Sequence, residues 1–417
     1  GSHVLVGVAG RTAFGGTVHE EMIQRVDAVF RDIRVGRQIL FGVEDSVGVT
    51  AFIGAVHRIA ARLDNRYELV AAALSADAKR ATESAAEVDI ASARSYTDFR
   101  VMAKKEASRK DGIEAVVIVT PNHLHFDAAR AFLEAGIHVI CDKPLTSTLE
   151  DAEILVKLVA ERDLLFAVTY NYSGYPMVRE AREMISAGAR GAIRVIQIEY
   201  AQDWLATNIE TTGQKQATWR TDPARAGAGG AIGDIGSHAF HLSEFISGLE
   251  VTSLLADLDA FVAGRTLDDN AHILLHFNNG ASGMLWVSQV ASGKENGLRI
   301  RIYGDKAGLE WAQEDPNYLQ FTPLGAPRQI LSRGGTATSA AAIAATRIPA
   351  GHPEGFLEGF ANLYREFADE IVAHRDGTAL DCVSLVPTIE DGLKGMRFIE
   401  KAVASNNAGN IWQSLDS

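Results

Sequence analysis

The chain has 417 residues, of which 47% are hydrophobic and 22% charged, and its formal net charge is −13. At about 150 residues per domain this length predicts two or three domains, and the composition excludes a wholly disordered chain. The acidic excess argues against nucleic-acid binding, and no run approaches the roughly 18 apolar residues of a membrane span. Two cysteines are too few for a disulfide framework, and the sequence opens without a signal-peptide pattern. We therefore expect a cytoplasmic protein.

Residues 1–37 fit neither of the patterns that follow, and we treat them as an N-terminal extension of unclear role. Their first three residues, Gly1–His3, look like a cloning scar. The segment also holds a glycine-rich stretch, Gly7–Gly16, and an amphipathic pattern that predicts a helix over Glu20–Asp32.

Between residues 38 and 172, strand patterns alternate with helical ones, which predicts a parallel sheet with right-handed crossovers. The strands are apolar throughout, as expected where helices cover both faces of a sheet. The predicted strands are 38–43, 67–74, 115–120, 138–141 and 165–169, and the predicted helices are 51–63, 78–87, 126–134 and 149–162. This order predicts a dinucleotide-binding domain.

From residue 173 to 417 the pattern changes to strands joined by short turns, followed by helices at 353–374 and 387–404. Asn279-Gly280 between two strands is a strong hairpin signal. The predicted strands are 193–200, 254–261, 271–277, 283–290, 298–303, 309–312 and 318–321. Such connections predict a mostly antiparallel sheet, so the expected class is α/β with a second, α+β domain.

Two glycine-rich turns could hold the pyrophosphate of a dinucleotide, Gly7–Gly16 and Gly48–Gly54. Only the second stands at a suitable distance before a strand, because Ser75, after that strand, follows Gly48 by 27 positions. Valines flank Gly48 where glycines are usual, so a plain strand–helix turn is the alternative interpretation.

The residue after the second strand helps to distinguish NAD from NADP, because a carboxylate there binds the ribose hydroxyls and a cation binds the extra phosphate. Ser75 stands at this position, and Lys79 and Arg80 follow it, which favours NADP slightly. Asp77 favours NAD, and the two cations also fit a solvated helix face. The expected cofactor is thus NAD or NADP, with a slight preference for NADP.

Two groups of ionisable residues could carry chemistry. Lys143 follows the strand at 138–141, at the edge where open α/β sheets bind ligands, although it could be a surface lysine in a turn. Asp234 and His238, at i and i+4, share one face of a predicted helix, and such a pair suits a histidine general base. A capping aspartate with a structural histidine is a second interpretation, and a metal site that includes His241 is a third. Hydride chemistry needs no metal, and we expect none.

Polar and aromatic residues surround these positions in the sequence. The segment Thr120–His125 follows a parallel strand and could approach a nicotinamide ribose, or it could be a turn capped by Asn122. The clusters Asp203-Trp204, Trp219-Arg220 and Tyr172–Tyr175 suit the mixed faces of a sugar, and each is equally compatible with packing.

Three motifs carry a family resemblance. In order, they are Thr120-Pro121-Asn122-His123, Asp142-Lys143-Pro144 and Gly233-Asp234-Ile235-Gly236-Ser237-His238. Their order and spacing resemble the Gfo/Idh/MocA family of glucose–fructose oxidoreductases and inositol dehydrogenases. The resemblance extends from about residue 38 to the C-terminus, and the segment ahead of it has no counterpart.

The resemblance implies a Rossmann domain, then a domain whose open sheet makes homodimer or homotetramer contacts, with the last helices packing back on the Rossmann domain. The implied activity is reversible hydride transfer between a sugar, glycoside or cyclitol carbinol and NAD(P). The implied catalytic residues are Lys143, Asp234 and His238. We expect them to bind substrate together with Asn171, Tyr175, Trp219 and Arg220. The expected cofactor-binding residues are Gly48, Phe52, Ile53, Ser75, Arg80, Thr120, Pro121, Asn122, His125, Asp142 and Lys143.

Two other functions remain open on the same residues. One is a redox-neutral enzyme that retains its NAD(P), of the epimerase, eliminase or oxidative glycoside-cleaving type. The other is a non-catalytic sugar or nucleotide sensor, which the altered glycine turn favours and the intact catalytic set disfavours.

Overall fold

The computed structural model describes residues 39–41, 52–336 and 338–415. The predicted extension 1–37, with its glycine stretch and its helix, lies outside the described residues, and so does Gly48.

The first sheet is parallel and has the strand order β2-β1-β3-β4-β5. Its strands are β1 (Ile39–Phe41), β2 (Leu69–Ala72), β3 (Ala115–Ile118), β4 (His138–Cys141) and β5 (Phe166–Val168). The helices that follow or connect them are α1 (Phe52–Leu63), α2 (Ala78–Glu87), α3 (Phe99–Ala107), α4 (His125–Glu134) and α5 (Leu149–Arg162). A single parallel bridge from Ala72 to Ser95 extends the sheet beyond β2. The predicted Rossmann architecture is confirmed.

Burial explains why these short segments become strands. Every residue of β3 and β4 is buried, which agrees with apolar strands covered on both faces. The helix α3 was not among the predicted elements. Its sequence mixes charged residues with a few apolar ones, and only the packing of Phe99, Met102 and Ala103 against the core shows its inner face.

The second sheet has nine strands in the order β13-β12-β11-β10-β6-β9-β8-β7-β14. They are β6 (Ile193–Ala201), β7 (Val251–Asp259), β8 (Asn270–Phe277), β9 (Ser282–Ser288), β10 (Gly297–Gly304), β11 (Ala307–Ala312), β12 (Tyr318–Pro323), β13 (Gln329–Ser332) and β14 (Gln413–Ser414). All neighbours are antiparallel except β6 and β9. The predicted hairpin at Asn279-Gly280 joins β8 to β9, with Gly280 at a φ of +85°.

Seven helices complete the described part of the second half. They are α6 (Pro176–Ser186), α7 (Lys215–Arg220), α8 (Pro223–Ala226), α9 (Ser237–Ser247), α10 (Ala340–Ala344), α11 (Phe356–Asp376) and α12 (Ile389–Asn407). The two long C-terminal helices return to the first half, where α11 packs against α1 and α12 packs against α5 and β5. Within the described ranges, no helix has the length and apolar character needed to cross a membrane.

Candidate active site

A cleft of about 970 Å³, measured with the solvent at its open mouth, lies beyond the carboxyl ends of β3 and β4, with the beginning of α9 on its other side. In open α/β sheets this edge is where ligands bind. Many residues that sequence reasoning proposed for the site line this one cleft: Phe52, Ile53, Thr120, Pro121, Asn122, His125, Asp142, Lys143, Asn171, Trp219, Arg220, Asp234 and His238. The cleft therefore draws on both halves of the chain.

Lys143 meets Asp234 across the cleft floor. Its ammonium donates to Asp234 Oδ1 at 2.9 Å and to the backbone carbonyl oxygen of Asp234 at 2.6 Å. Lys143 is the second residue after β4, next to Asp142. The lysine is therefore a fixed, half-buried cation at the sheet edge and not a freely solvated turn residue.

The carboxylate of Asp234 is surrounded by donors. Besides Lys143, Gln289 Nε2 donates to its Oδ2 at 2.8 Å, and Arg220 Nε lies 3.3 Å from the same oxygen. Burial alone would raise its pKa, but the charges of Lys143 and Arg220 and the hydrogen bonds of Lys143 and Gln289 hold the pKa of Asp234 well below its ordinary value. The group is thus a permanent anion between two cations. Its carboxylate accepts from Lys143 and Gln289 and makes no capping hydrogen bond to the π-helical turn or to the helix that follows, so Asp234 is not a helix cap.

A second aspartate holds the segment that carries Asp234. Both carboxylate oxygens of Asp268 accept backbone N–H bonds, from Gly230 at 2.6 Å and from Ile232 at 2.8 Å. Residues Ile232–Gly236 then form a π-helical turn that leads into α9. Such turns are often found at functional sites, and here the turn directs Asp234 into the cleft.

His238 lies in the first turn of α9, buried among aromatic rings. Its ring centroid is 4.9 Å from that of Tyr172 and 5.7 Å from that of Tyr170. Burial, reinforced by the charge of Lys143, holds the pKa of His238 well below its ordinary value, so the imidazole is neutral at neutral pH. Its Nδ1 has no hydrogen-bond partner among the described residues. A neutral, unsatisfied imidazole in a cleft can accept a proton, which a satisfied structural histidine cannot do.

His241 does not join this site. The π-helical turn changes the phase of the helix, and the ring of His241 stacks on Tyr170 with 4.4 Å between centroids, outside the cleft lining. The prediction that it shares a face with Asp234 was wrong for this reason. In the described ranges no group of three or more His, Cys, Asp or Glu side chains could hold a metal ion.

The nicotinamide end of a dinucleotide fits the cleft. Thr120 Oγ1 and Asn171 Nδ2 are buried in its lining, and neither has a hydrogen-bond partner within the described ranges. Buried polar groups without partners are rare, and a ligand with hydroxyl and amide groups would satisfy both. Both atoms lie near the carboxyl ends of the parallel strands, where open α/β sheets bind such ligands.

Asp142, next to Lys143, is held by a buried network. His57 Nε2 lies 3.1 Å from Asp142 Oδ1, His57 Nδ1 lies 2.6 Å from the hydroxyl of Tyr364, and Thr169 donates to the same carboxylate oxygen at 2.5 Å. Burial alone would raise its pKa, but His57, Thr169 and Lys143 lower the pKa of Asp142 to about 2. The network joins α1 and α11 to the end of β4, and sequence patterns gave no sign of it.

Some predicted site residues lie elsewhere. Tyr175 is buried against Trp311, with 5.5 Å between ring centroids, and does not line the cleft, so its prediction as a substrate contact was wrong. Ser75 and Arg80 follow β2 and also lie outside the cleft lining. Ser75 Oγ accepts the N–H of Asp77, whose carboxylate caps α2. The preference for NADP, which rested on these positions, stays a prediction.

Two turn residues make contacts that the sequence did not predict. Asn122 caps no helix, and its Nδ2 donates to the carbonyl oxygen of Ala226 at 2.9 Å, which ties the first half to α8. The ring nitrogens of His125 lie 2.9 Å and 2.8 Å from the carbonyl oxygens of Pro144 and Thr120. Burial lowers the pKa of His125, so the ring is neutral and carries one proton for these two carbonyls.

Arg220 and Trp219 form one side of the cleft. The guanidinium of Arg220 lies over the Trp219 ring, 4.2 Å from its centroid, and hydrogen-bonds the side chain of Gln216. Sequence reasoning missed Gln216, Gln202, Tyr200 and Gln289, which also contact the cleft or its carboxylate. Gln202 and Gln289 directly follow strands, Tyr200 lies in β6 and Gln216 in the short helix α7, and no spacing or motif distinguishes these isolated polar residues.

Comparisons with known proteins agree with this geometry. Residues 46–170 match the family model described as "Oxidoreductase family, NAD-binding Rossmann fold", and residues 178–310 match the model of the GFO/IDH/MocA C-terminal domain. An uncharacterized oxidoreductase of Bacillus subtilis, YfiI, is 38% identical over 364 residues, which is 86% of this chain and 93% of that protein. The chain belongs to the Gfo/Idh/MocA family of oxidoreductases. Its predicted fold class and its nicotinamide cofactor, NAD or NADP, are thereby confirmed.

Solved structures support the same assignment. An oxidoreductase from Sinorhizobium meliloti is 53% identical, with a TM-score of 0.82 over 90% of this chain and 99% of that one. An inositol dehydrogenase homolog from Azotobacter vinelandii, complexed with NADH and myo-inositol, is 37% identical, with a TM-score of 0.85 over 92% of this chain and 98% of that one. One relative of this chain was thus solved in complex with both a nicotinamide cofactor and a cyclitol.

Proposed function

We propose that this protein oxidises a secondary alcohol of an uncharged sugar or cyclitol and passes the hydride to NAD or NADP. The observation that carries the proposal is the meeting of Lys143, Asp234 and His238 in one cleft, with the ammonium 2.9 Å from the carboxylate. The Azotobacter vinelandii homolog, which was crystallised with NADH and myo-inositol, supports a cyclitol as the substrate class.

The proposed catalytic role of each residue follows from its charge and protonation. The neutral imidazole of His238 accepts the proton of the substrate hydroxyl. Lys143 donates a hydrogen bond to the same oxygen and stabilises the negative charge that develops there. Asp234 keeps the ammonium in place and remains ionised between Lys143 and Arg220. The nicotinamide, when bound, supplies the hydride acceptor.

An uncharged substrate agrees with the charges in the cleft. The two cations of the floor, Lys143 and Arg220, are both within 3.3 Å of the carboxylate of Asp234, and that contact offsets much of their charge. Trp219 adds its indole to the cleft lining, beneath the guanidinium of Arg220.

A panel of polyols and glycosides, assayed with NAD and with NADP, tests the proposal through the near-ultraviolet absorbance of reduced nicotinamide. We expect net reduction with at least one ring polyol. Turnover of a substrate without net reduction would instead favour the redox-neutral type. Ligand binding without any turnover would favour a sensor.

Replacement of Lys143 tests the central role. We expect Lys143→Ala to lower kcat by at least about 100-fold, because it removes the charge that stabilises the alkoxide. The matched control is Lys104→Ala on the exposed face of α3, which should retain wild-type kcat. Unchanged kcat in folded Lys143→Ala protein would refute the role.

A further inference from the structure

Five side chains form a continuous hydrogen-bond chain along one wall of the cleft. It begins at Trp204 and passes through Gln202, Asn296 and Tyr200 to Tyr172. Gln202, Tyr200 and Tyr172 line the cleft, whereas Trp204 and Asn296 do not. The hydride transfer proposed above assigns no role to any of them.

Trp204 fixes the direction of the first links, because an indole N–H can only donate. It donates to Gln202 Oε1 at 3.1 Å, so the amide nitrogen of Gln202 faces Asn296. That nitrogen donates to Asn296 Oδ1 at 2.9 Å. Rotating either amide by 180° would bring two donors or two acceptors together, so both amides have one orientation.

The direction continues through the two phenols. Tyr200 donates its hydroxyl proton to Asn296 Oδ1 at 2.8 Å. A phenol has one proton, so in the 2.6 Å contact between the two tyrosine hydroxyls the donor is Tyr172. Asn296 Nδ2 faces the Tyr172 oxygen at 3.5 Å, which agrees with this order. Burial raises the pKa of both phenols, so both protons are present at neutral pH.

Both phenol protons are therefore donated within this hydrogen-bond chain. The hydroxyl oxygens of Tyr172 and Tyr200 have only lone pairs left for a ligand in the cleft. A ligand group can bind there only if it donates a hydrogen bond. Because the Tyr172 ring lies 4.9 Å from the His238 ring, that group belongs to a carbon close to the reacting one.

We propose that this wall selects a substrate hydroxyl that donates a hydrogen bond, and that Trp204 sets the preference from behind the wall. The inference rests on the proposed function, because it takes a ring polyol as the ligand. It makes Tyr172 and Tyr200 specificity-determining residues and Trp204 a positioning residue. A keto, ether or fluoro group at the selected carbon would meet acceptors only and would bind poorly.

Neutron diffraction from deuterium-exchanged crystals tests the proton directions without any ligand. We expect the deuteron of Tyr172 to point to Tyr200 and the deuteron of Tyr200 to point to Asn296. A deuteron on Tyr200 that points to Tyr172 would overturn the proposal, whatever the enzyme acts on.

Calorimetry with myo-inositol and its monodeoxy and monodeoxyfluoro analogues, added to the protein with NADH, tests the selection. At one ring position we expect the fluoro analogue to bind as weakly as the deoxy analogue, each about tenfold weaker than myo-inositol, because neither can donate. A fluoro analogue that binds better than its deoxy counterpart at every position would overturn the selection, as would a lack of myo-inositol binding. Failure of the proposed function appears separately, as no nicotinamide reduction with any polyol.

The variant Trp204→Phe keeps the ring but removes the N–H that fixes the amides. We expect it to bind the fluoro analogue several-fold better than the deoxy analogue, because the released amides let Tyr172 donate towards the cleft. Trp412→Phe, whose indole stacks on His276 outside the cleft lining, is the matched control and should keep the wild-type ratio. An unchanged ratio in folded Trp204→Phe protein would show that the indole does not set the direction.

Discussion

His238 shows at the scale of one residue how burial prepares a group for chemistry. A solvated histidine is partly protonated near neutral pH, and a protonated imidazole cannot accept a proton. In the cleft, desolvation and the neighbouring Lys143 both disfavour the cation, so the base is ready at physiological pH. The nearby Asp234 opposes this effect only in part, because its charge is also engaged by Lys143 and Arg220.

A pH profile follows from this state. Because the pKa of His238 is depressed, the inactive protonated form appears only at low pH. We expect kcat/KM to stay level from about pH 8 to about pH 6 and to fall only well below the ordinary histidine value of about 6.5.

Initial rates of the wild-type enzyme and of two histidine variants, measured in buffers of constant ionic strength, test this profile. His272→Gln, an exposed histidine on β8, should keep the profile, whereas His238→Gln should lose nearly all activity with its circular dichroism unchanged. An acid limb centred at or above pH 6.5 in the wild-type enzyme would contradict the assignment of His238 as the base.

At the scale of elements, the turn after β5 and helix α11 approach so closely that only glycine fits between them. A Cβ on Gly174 would lie 2.0 Å from the carbonyl oxygen of Gly359, which is far inside van der Waals contact. Asn362 on α11 also donates to the carbonyl oxygen of Gly174 at 2.8 Å. The contact holds the turn that carries Asn171 and Tyr172 into the cleft.

We therefore expect Gly174→Ala to lower the free energy of unfolding by about 3 kcal/mol, because backbone has to move on both sides to admit the methyl group. Urea unfolding measures the change. Gly308→Ala is the control, since Gly308 has the extended backbone of β11 and a Cβ there meets nothing closer than the half-exposed ring of Tyr303, at 3.3 Å. Equal midpoints for the two variants would show that the approach is looser than the structure indicates.

At the scale of the whole molecule, the nine-stranded sheet exposes apolar side chains along its centre. Val195, Leu274 and Met284 on β6, β8 and β9 are 38%, 47% and 42% exposed, and Leu274 pairs directly with Met284. Contiguous exposed apolar surface on a sheet often marks an interface between proteins. This agrees with the oligomer that the family resemblance implies, which stays a prediction.

We expect the wild-type protein to have the mass of a dimer or tetramer by light scattering. A double variant, Leu274→Glu with Met284→Glu, should shift the mass towards the monomer, because buried unpaired carboxylates are costly. Leu324→Glu, in the exposed β12–β13 turn, should leave the mass unchanged. A monomeric wild-type protein would remove the sheet face from consideration as an interface.

Much of the fold could be predicted from local pattern. The apolar run Ala115–Ile118 and the turn at Asn279-Gly280 specify a buried strand and a hairpin through their own chemistry. The helix α3 escaped prediction because its inner face is recognisable only from the core it packs on. A helix whose buried face is defined only by contacts with residues distant in sequence has a weak helical pattern in its own sequence.

The candidate site, like the fold, was predictable from the sequence only in part. The sequence by itself determined the residue types and their order: a lysine at the end of a parallel strand, and an aspartate and a histidine after a glycine run. It could not say that Gln289 would hold Asp234, that Tyr175 would turn towards Trp311, or that His241 would leave the face of His238. Only the tertiary structure decided these points, because hydrogen bonds and burial depend on side chains that chain folding brings together from distant positions.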